Sequence, residues 1–199
     1  MRIKYALCAV ICAAAALLSG CKKGLVCENG VTVVENANIT LSVPEDWRVT
    51  TGDAVYDEMY EALSDEYGSA KELKSSFEDG GERVLLDAQS PDGAVGVLLS
   101  ESDGGDVSAA DILRSVHDTS IFDFRSAGYF TESSFEEYEW GGVAGVMSDI
   151  KVSEEKDMPV VLEEKEFCFE RGELAFSLKI HITGGFEKYA DSIEISANE

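Results

Sequence analysis

The chain has 199 residues, 39 of them acidic against 16 basic, for a formal charge of -23, while 45% of the residues are hydrophobic. The apolar share is that of a folded protein, so the charge belongs to a surface and not to a disordered chain. Such a surface excludes nucleic acid, whose phosphates need Lys and Arg to displace counterions, and it repels anionic lipid head groups; cationic proteins and divalent cations are the company it permits.

Arg2 and Lys4 precede an uncharged apolar run from Ala6 to Leu18, which ends in Leu18-Ser19-Gly20-Cys21 and is closed by Lys22-Lys23. The run is too short to span a membrane, which takes roughly 20 apolar residues, and has the layout of a secretory signal. With Cys21 at the cut it resembles the lipobox of bacterial lipoproteins. That resemblance implies cleavage after residue 20, a lipid on the Cys21 thiol, and a protein held at the cell membrane facing out of the cytoplasm. Removing residues 1–20 discards Arg2 and Lys4 and no acids, so the remaining chain is more acidic still. Residues 21–30 read as a short tether and 31–199 as one domain, a length that supports a single core. Cys27 and Cys168 then remain beside Cys21. Outside the cytoplasm they form either a disulfide or two free thiols, and neither lies in a C-x-x-C.

Glu28-Asn29-Gly30 is a turn signal, and Val31 to Glu35 and Ile39 to Val43 read as strands, with Ile39, Leu41 and Val43 on one face. Pro44-Glu45-Asp46-Trp47 ends the second strand and returns Trp47 and Val49 to the core. Val55, Met59 and Leu63 predict a helix from Asp53 to about Tyr67, whose Tyr56, Tyr60 and Tyr67 read as an aromatic flank packed on a sheet before they read as a ligand platform. Arg83 to Gln89, the turn Ser90-Pro91-Asp92-Gly93 and Ala94 to Ser100 form a hairpin. Glu101 to Asp106 reads as an exposed acidic loop. It lacks the spacing of an EF-hand, although Asp103 and Asp106 are the place where a divalent cation would bind if one does. Ser108, with Asp111 three residues on, caps a helix carrying Ile112, Leu113, Val116 and Ile121. His117 and Asp118 within it point about 100° apart.

Phe135 to Trp140, Gly141-Gly142 and Val143 to Val152 predict another hairpin. Val160 to Phe169 and Glu173 to Thr183 flank a turn at Arg171-Gly172, with Leu174, Phe176, Leu178, Ile180 and Ile182 on the core face. That turn sets Cys168 opposite Ala175 and Glu164 opposite Lys179 as a cross-strand ion pair, and it leaves His181 too far from Cys168 to act as its base. Gly184-Gly185 breaks the sheet, and Phe186 to about Ser196 reads as a closing helix with Ile193 inward.

This order of strand, Pro-x-x-Trp, helix, Pro-Asp-Gly hairpin, long helix, Gly-Gly hairpin, paired long strands and final Phe-x-x-Tyr helix resembles the PsbP-like fold. The resemblance implies an α+β domain, a central antiparallel sheet of about six strands flanked by helices in an α/β/α sandwich. It implies no chemistry, because a fold does not fix a function. No Gly-x-Ser-x-Gly, His-Glu-x-x-His or phosphate-cradling loop occurs, and no catalytic, cofactor or metal residues are assigned. The expected role is non-catalytic binding or assembly by a membrane-anchored protein, with an enzyme using an unrecognised carboxylate site, or a divalent-cation-binding surface protein, as alternatives.

Overall fold

The computed structural model describes residues 25–103, 108–183 and 192–198. Strands β1 (Leu25–Glu28) and β2 (Val31–Val34) pair across Asn29-Gly30, both in the left-handed region at φ 51° and 75°. Two such residues give the turn that matches strand twist. The stretch read as a tether therefore contains a paired strand from Leu25 onward. A short 3-10 turn (Glu35–Ala37) leads into β3 (Ile39–Ser42), whose Ile39 and Leu41 are buried together as their alternation predicts. Trp47 is buried beside them, and β4 (Arg48–Thr51) follows.

The first helix, α1 (Ala54–Leu63), stops four residues before Tyr67, and a second one, α2 (Ala70–Asp79), follows where none was expected. Ser69 starts it by accepting a hydrogen bond from the Glu72 amide, the capping that a Ser three residues before a Glu provides. Its apolar signal is thin, since Leu73 is its fully buried side chain. Strands β5 (Glu82–Gln89) and β6 (Val95–Asp103) form the expected hairpin, with the Ser90 hydroxyl accepting from the Val95 amide. Residues Glu101 to Asp103 thus belong to a strand and not to a loop, and residues 104–107 lie outside the described part. Helix α3 (Ala109–Ser126) is capped by Ser108 as expected and lays Ala109, Leu113 and His117 on the sheet.

Strands β7 (Phe130–Trp140), β8 (Val143–Ser153), β9 (Val160–Arg171) and β10 (Leu174–Ile182) complete a seven-stranded sheet in the order β4-β5-β6-β10-β9-β8-β7. A second, four-stranded sheet has the order β1-β2-β3-β11, where β11 is Glu194–Ala197. All pairings are antiparallel. The α+β class and the central antiparallel sheet are as expected, and the detail differs. The three described helices pack on one face of the large sheet, and the second sheet covers much of the other. Ile39, Leu41 and Ile195 from the small sheet meet Leu99, Phe167, Phe176 and Leu178 from the large one in the main core.

Two further expectations need correction. The closing helix is replaced, over its described end, by β11, which pairs Ile195 with Leu41; residues 186–191 of that expectation lie outside the described part. Ile193 and Ile195 are buried while Glu194 and Ser196 are exposed, a period of two that a helix cannot produce. The β9–β10 turn is Gly172-Glu173, so Arg171 faces Leu174 and Cys168 faces Ser177, not Ala175. Gly172, at φ 63°, is the residue that must take the left-handed position, and it sits first in the two-residue loop.

Candidate functional site

A cleft of about 670 Å³, lined among the described residues by the start of α3 and the β7–β8 hairpin, opens at the head of that helix. Ala144 and Val146 of β8 and Cys168 of β9 form its floor, and Glu137 and Glu139 of β7 stand along one side. The carboxylate of Glu170 lies at the helix start, where it accepts a hydrogen bond from the Ala109 amide at 2.9 Å. Small residues make the depression, and Gly145 is obligatory because a Cβ there would meet the Cys168 carbonyl oxygen at 2.3 Å. Glu137 and Glu139 are exposed and take part in no ion pair among the described residues. Two arginines of adjoining elements are turned to aromatic rings, Arg114 over Phe135 at 4.0 Å and Arg171 over Phe169 at 5.5 Å. The cleft is thus an apolar trough with a negative rim, suited to a side chain with an aliphatic stem and a cationic head.

Cys168 does not turn that trough into a nucleophilic site. Burial, followed by the neighbouring Glu166 carboxylate, pushes its thiol up to about 12, so it stays protonated and unreactive. Register also keeps it from His181. Their partners on the opposite strand are Ser177 and Glu164, and four residues of strand span about 13 Å. Cys27 is exposed on β1 and Cys168 is buried beneath α3, and both are free.

Under the middle of α3 lies a polar seam. The His117 ring nitrogen Nδ1 is 2.7 Å from the Ser148 hydroxyl, and both residues are buried. A Ser–His pair of this kind needs room for a substrate, and the void beside it measures about 10 Å³, enough for one water. Burial holds the imidazole below its ordinary pKa, so it packs as a neutral side chain. Asp118 is exposed and takes no part in the pair. Nearby, a hydrogen bond from His181 and then the charge of Lys179 hold the Glu164 carboxyl below the usual carboxylate range. The expected Glu164 to Lys179 ion pair is present at 3.9 Å, reached diagonally because Glu164 faces His181 in the ladder.

On the opposite face of β8 and β9, Asp149 faces Lys165 and Lys151 faces Glu163. Lys165 and Lys151 both reach the Glu163 carboxylate, at 3.2 and 3.7 Å. Burial, then Glu163, raises the Asp149 carboxyl above its ordinary value, and its Oδ1 is buried without a hydrogen-bond partner. Signs alternate across the two strands, which is the arrangement of a cross-strand charge lattice.

Cys21, with Leu18, Ser19 and Gly20, lies outside the described residues, as do Gly104 to Asp106 of the acidic loop. Glu101, from the start of that loop, is nearly buried and paired with Arg83. Among the described residues no three His, Cys, Asp or Glu side chains are grouped to hold a metal ion. The tyrosines of α1 are packing residues: the Tyr56 hydroxyl is buried and accepts from the Val84 amide at 3.0 Å, and Tyr60 and Tyr67 pack against the same cluster. No described helix is long and apolar enough to cross a membrane. Glu137, Glu139 and Glu170 are the residues that sequence reasoning did not single out, since glutamates are too common in this chain to mark a site.

No family model matches the chain, and no curated protein does. Among solved structures it is similar to the solution structure of cyanobacterial PsbP (CyanoP) from Synechocystis sp. PCC 6803, at 9% identity and a TM-score of 0.49, covering 87% of this chain and 97% of that one. It is also similar to a crystal structure from Bacteroides thetaiotaomicron, at 12% identity and a TM-score of 0.35, covering 86% of this chain and 50% of that one. Neither likeness places the chain in a family.

Proposed function

We propose that this protein is a lipid-anchored, extracytoplasmic binding domain whose cleft at the head of α3 receives a cationic segment of a protein partner. The observation that carries the reading is the cleft itself, an apolar trough rimmed by Glu137 and Glu139 with no described cation to neutralise them. The excess of acid over base across the whole chain points the same way, because it draws cationic chains and repels nucleic acid and anionic lipid. The lipobox-like Leu18-Ser19-Gly20-Cys21 supports the anchor. A neutral, buried Cys168 and a sealed His117–Ser148 pair favour binding over nucleophilic catalysis.

Titration calorimetry of the full chain with a peptide of alternating lysine and valine tests this. Binding is expected to weaken with salt, and Glu137→Gln with Glu139→Gln together should weaken it by about fivefold, the size of two exposed charge contacts. Equal affinity of the double variant, or equal affinity for a glutamate–valine peptide, would overturn the reading.

A further inference from the structure

Among the described residues the outer edge of β7 is unpaired, and it has a shape and chemistry that the cleft alone does not explain. The large sheet ends at β4 on one side and β7 on the other, and the small sheet ends at β1 and β11. Three of these edges are four residues long, whereas β7 has 11 and spans about 36 Å. Folded proteins blunt a long edge with bulges, prolines or lysines, because its outward N–H and C=O groups invite another strand. β7 has none of these. Its sequence, FTESSFEEYEW, lacks Pro, Lys and Arg, and its pairing with β8 runs without a register shift from Phe130 to Trp140, unlike the β5–β6 and β8–β9 ladders.

What β7 carries instead is negative charge on both faces. Glu137 and Glu139 share the cleft face, and Glu132 and Glu136 share the other with Tyr138, which is 44% exposed. Like charges opposite each other destabilise a strand pair, so β7 of a second copy is repelled. A strand with lysine or arginine at alternate positions meets opposite charge, and a side chain on its cleft face lies next to the trough.

We infer that the partner's cationic segment binds as an added strand on the outer edge of β7, with main-chain hydrogen bonds along β7 and every second side chain directed to the cleft face. The inference rests on the proposed cationic binding and specifies its geometry. The occupant is an extended, proline-free segment of a protein with Lys or Arg alternating with small or apolar residues.

The test uses the full chain and two peptides as long as β7, one alternating lysine and valine and one of the same sequence N-methylated at every amide. Methylation keeps the charges and removes the backbone donors. Strand addition predicts about tenfold or greater loss of affinity for the methylated peptide, and slowed hydrogen exchange at the outward amides of β7 when the unmodified peptide is bound. If the methylated peptide binds equally well and β7 amides exchange as before, strand addition is wrong while cationic binding stands. If neither peptide binds, the cationic reading itself fails. A dimer in sedimentation without peptide, with β7 amides protected in it, would assign the edge to a second copy and overturn the inference.

Discussion

Asp149 shows how a single carboxylate is held at a cost. Its Oδ1 is buried without a partner, and desolvation together with Glu163 outweighs the attraction of Lys165 and Lys151, so its folded pKa is raised. A raised carboxyl pKa means that the folded state binds the proton more tightly than the unfolded chain does. The stabilisation is therefore complete below the ordinary carboxylate range near ~4 and is lost as pH rises through the raised value. Asp149→Asn is expected to stabilise the protein at pH 7 by about 1 kcal/mol, the scale of one poorly satisfied buried group. Urea unfolding of both proteins across the acid range checks this, and the advantage should vanish toward pH 3. A variant less stable at pH 7 would show that the lysines dominate. None of this was legible beforehand, since Asp149 and Glu163 are 14 positions apart and only the β8–β9 register joins them.

At the scale of elements, the turns were the most legible part. Pro91-Asp92-Gly93 and Gly141-Gly142 form the hairpins their residues predict, and the turn signal at Asn29-Gly30 closes a hairpin with a strand that had been read as tether, because left-handed backbone is cheap for glycine and costly elsewhere. Gly141 has a further reason to lack a side chain. Its φ is 56°, and a Cβ would lie 1.7 Å from the Ile195 carbonyl oxygen, while its own carbonyl accepts from the Ala197 amide. The hairpin thus docks onto β11 by backbone contact. Gly141→Ala is expected to cost about 2 kcal/mol and to expose β11 amides to exchange, whereas Gly142→Ala, with Ala197 Cβ 3.7 Å from the new methyl, should pay only the backbone strain, about 1 kcal/mol. Denaturant unfolding of the two variants decides it, and equal losses would mean that the β11 contact carries no weight. α2 escaped notice for the opposite reason. Its apolar stripe is narrow, Ala70, Leu73 and Phe77, and apart from that its capping by Ser69 was the local signal.

At the scale of the whole molecule, the proposed lipid anchor and the folded core draw on different residues. The described core draws on Val34 onward, well beyond Cys21. Cys21→Ser is therefore expected to abolish incorporation of labelled fatty acid and to change the membrane distribution of the protein, with no shift in its thermal midpoint. One acyl chain binds a bilayer marginally and several anchor it stably, so on the proposed reading loss of Cys21 removes the anchor. A variant still processed and membrane-bound as before would refute the anchor.

By itself the sequence determined what depends on near neighbours: strand faces such as Ile39 and Leu41 or Leu174 to Ile182, the glycine turns, the Ser108 cap and the lipobox-like stretch. The partners of those elements were decided only in the tertiary structure. The alternation of Ile193 and Ile195 with Glu194 and Ser196 is too short to mark a strand in the sequence until β3 is there to pair with. The glutamates of β7 are ordinary surface residues until β7 proves to be, among the described residues, the edge of its sheet beside the cleft at the head of α3. Pairing and exposure are properties of distant segments brought together, and alternation along one strand carries no record of what lies beside it.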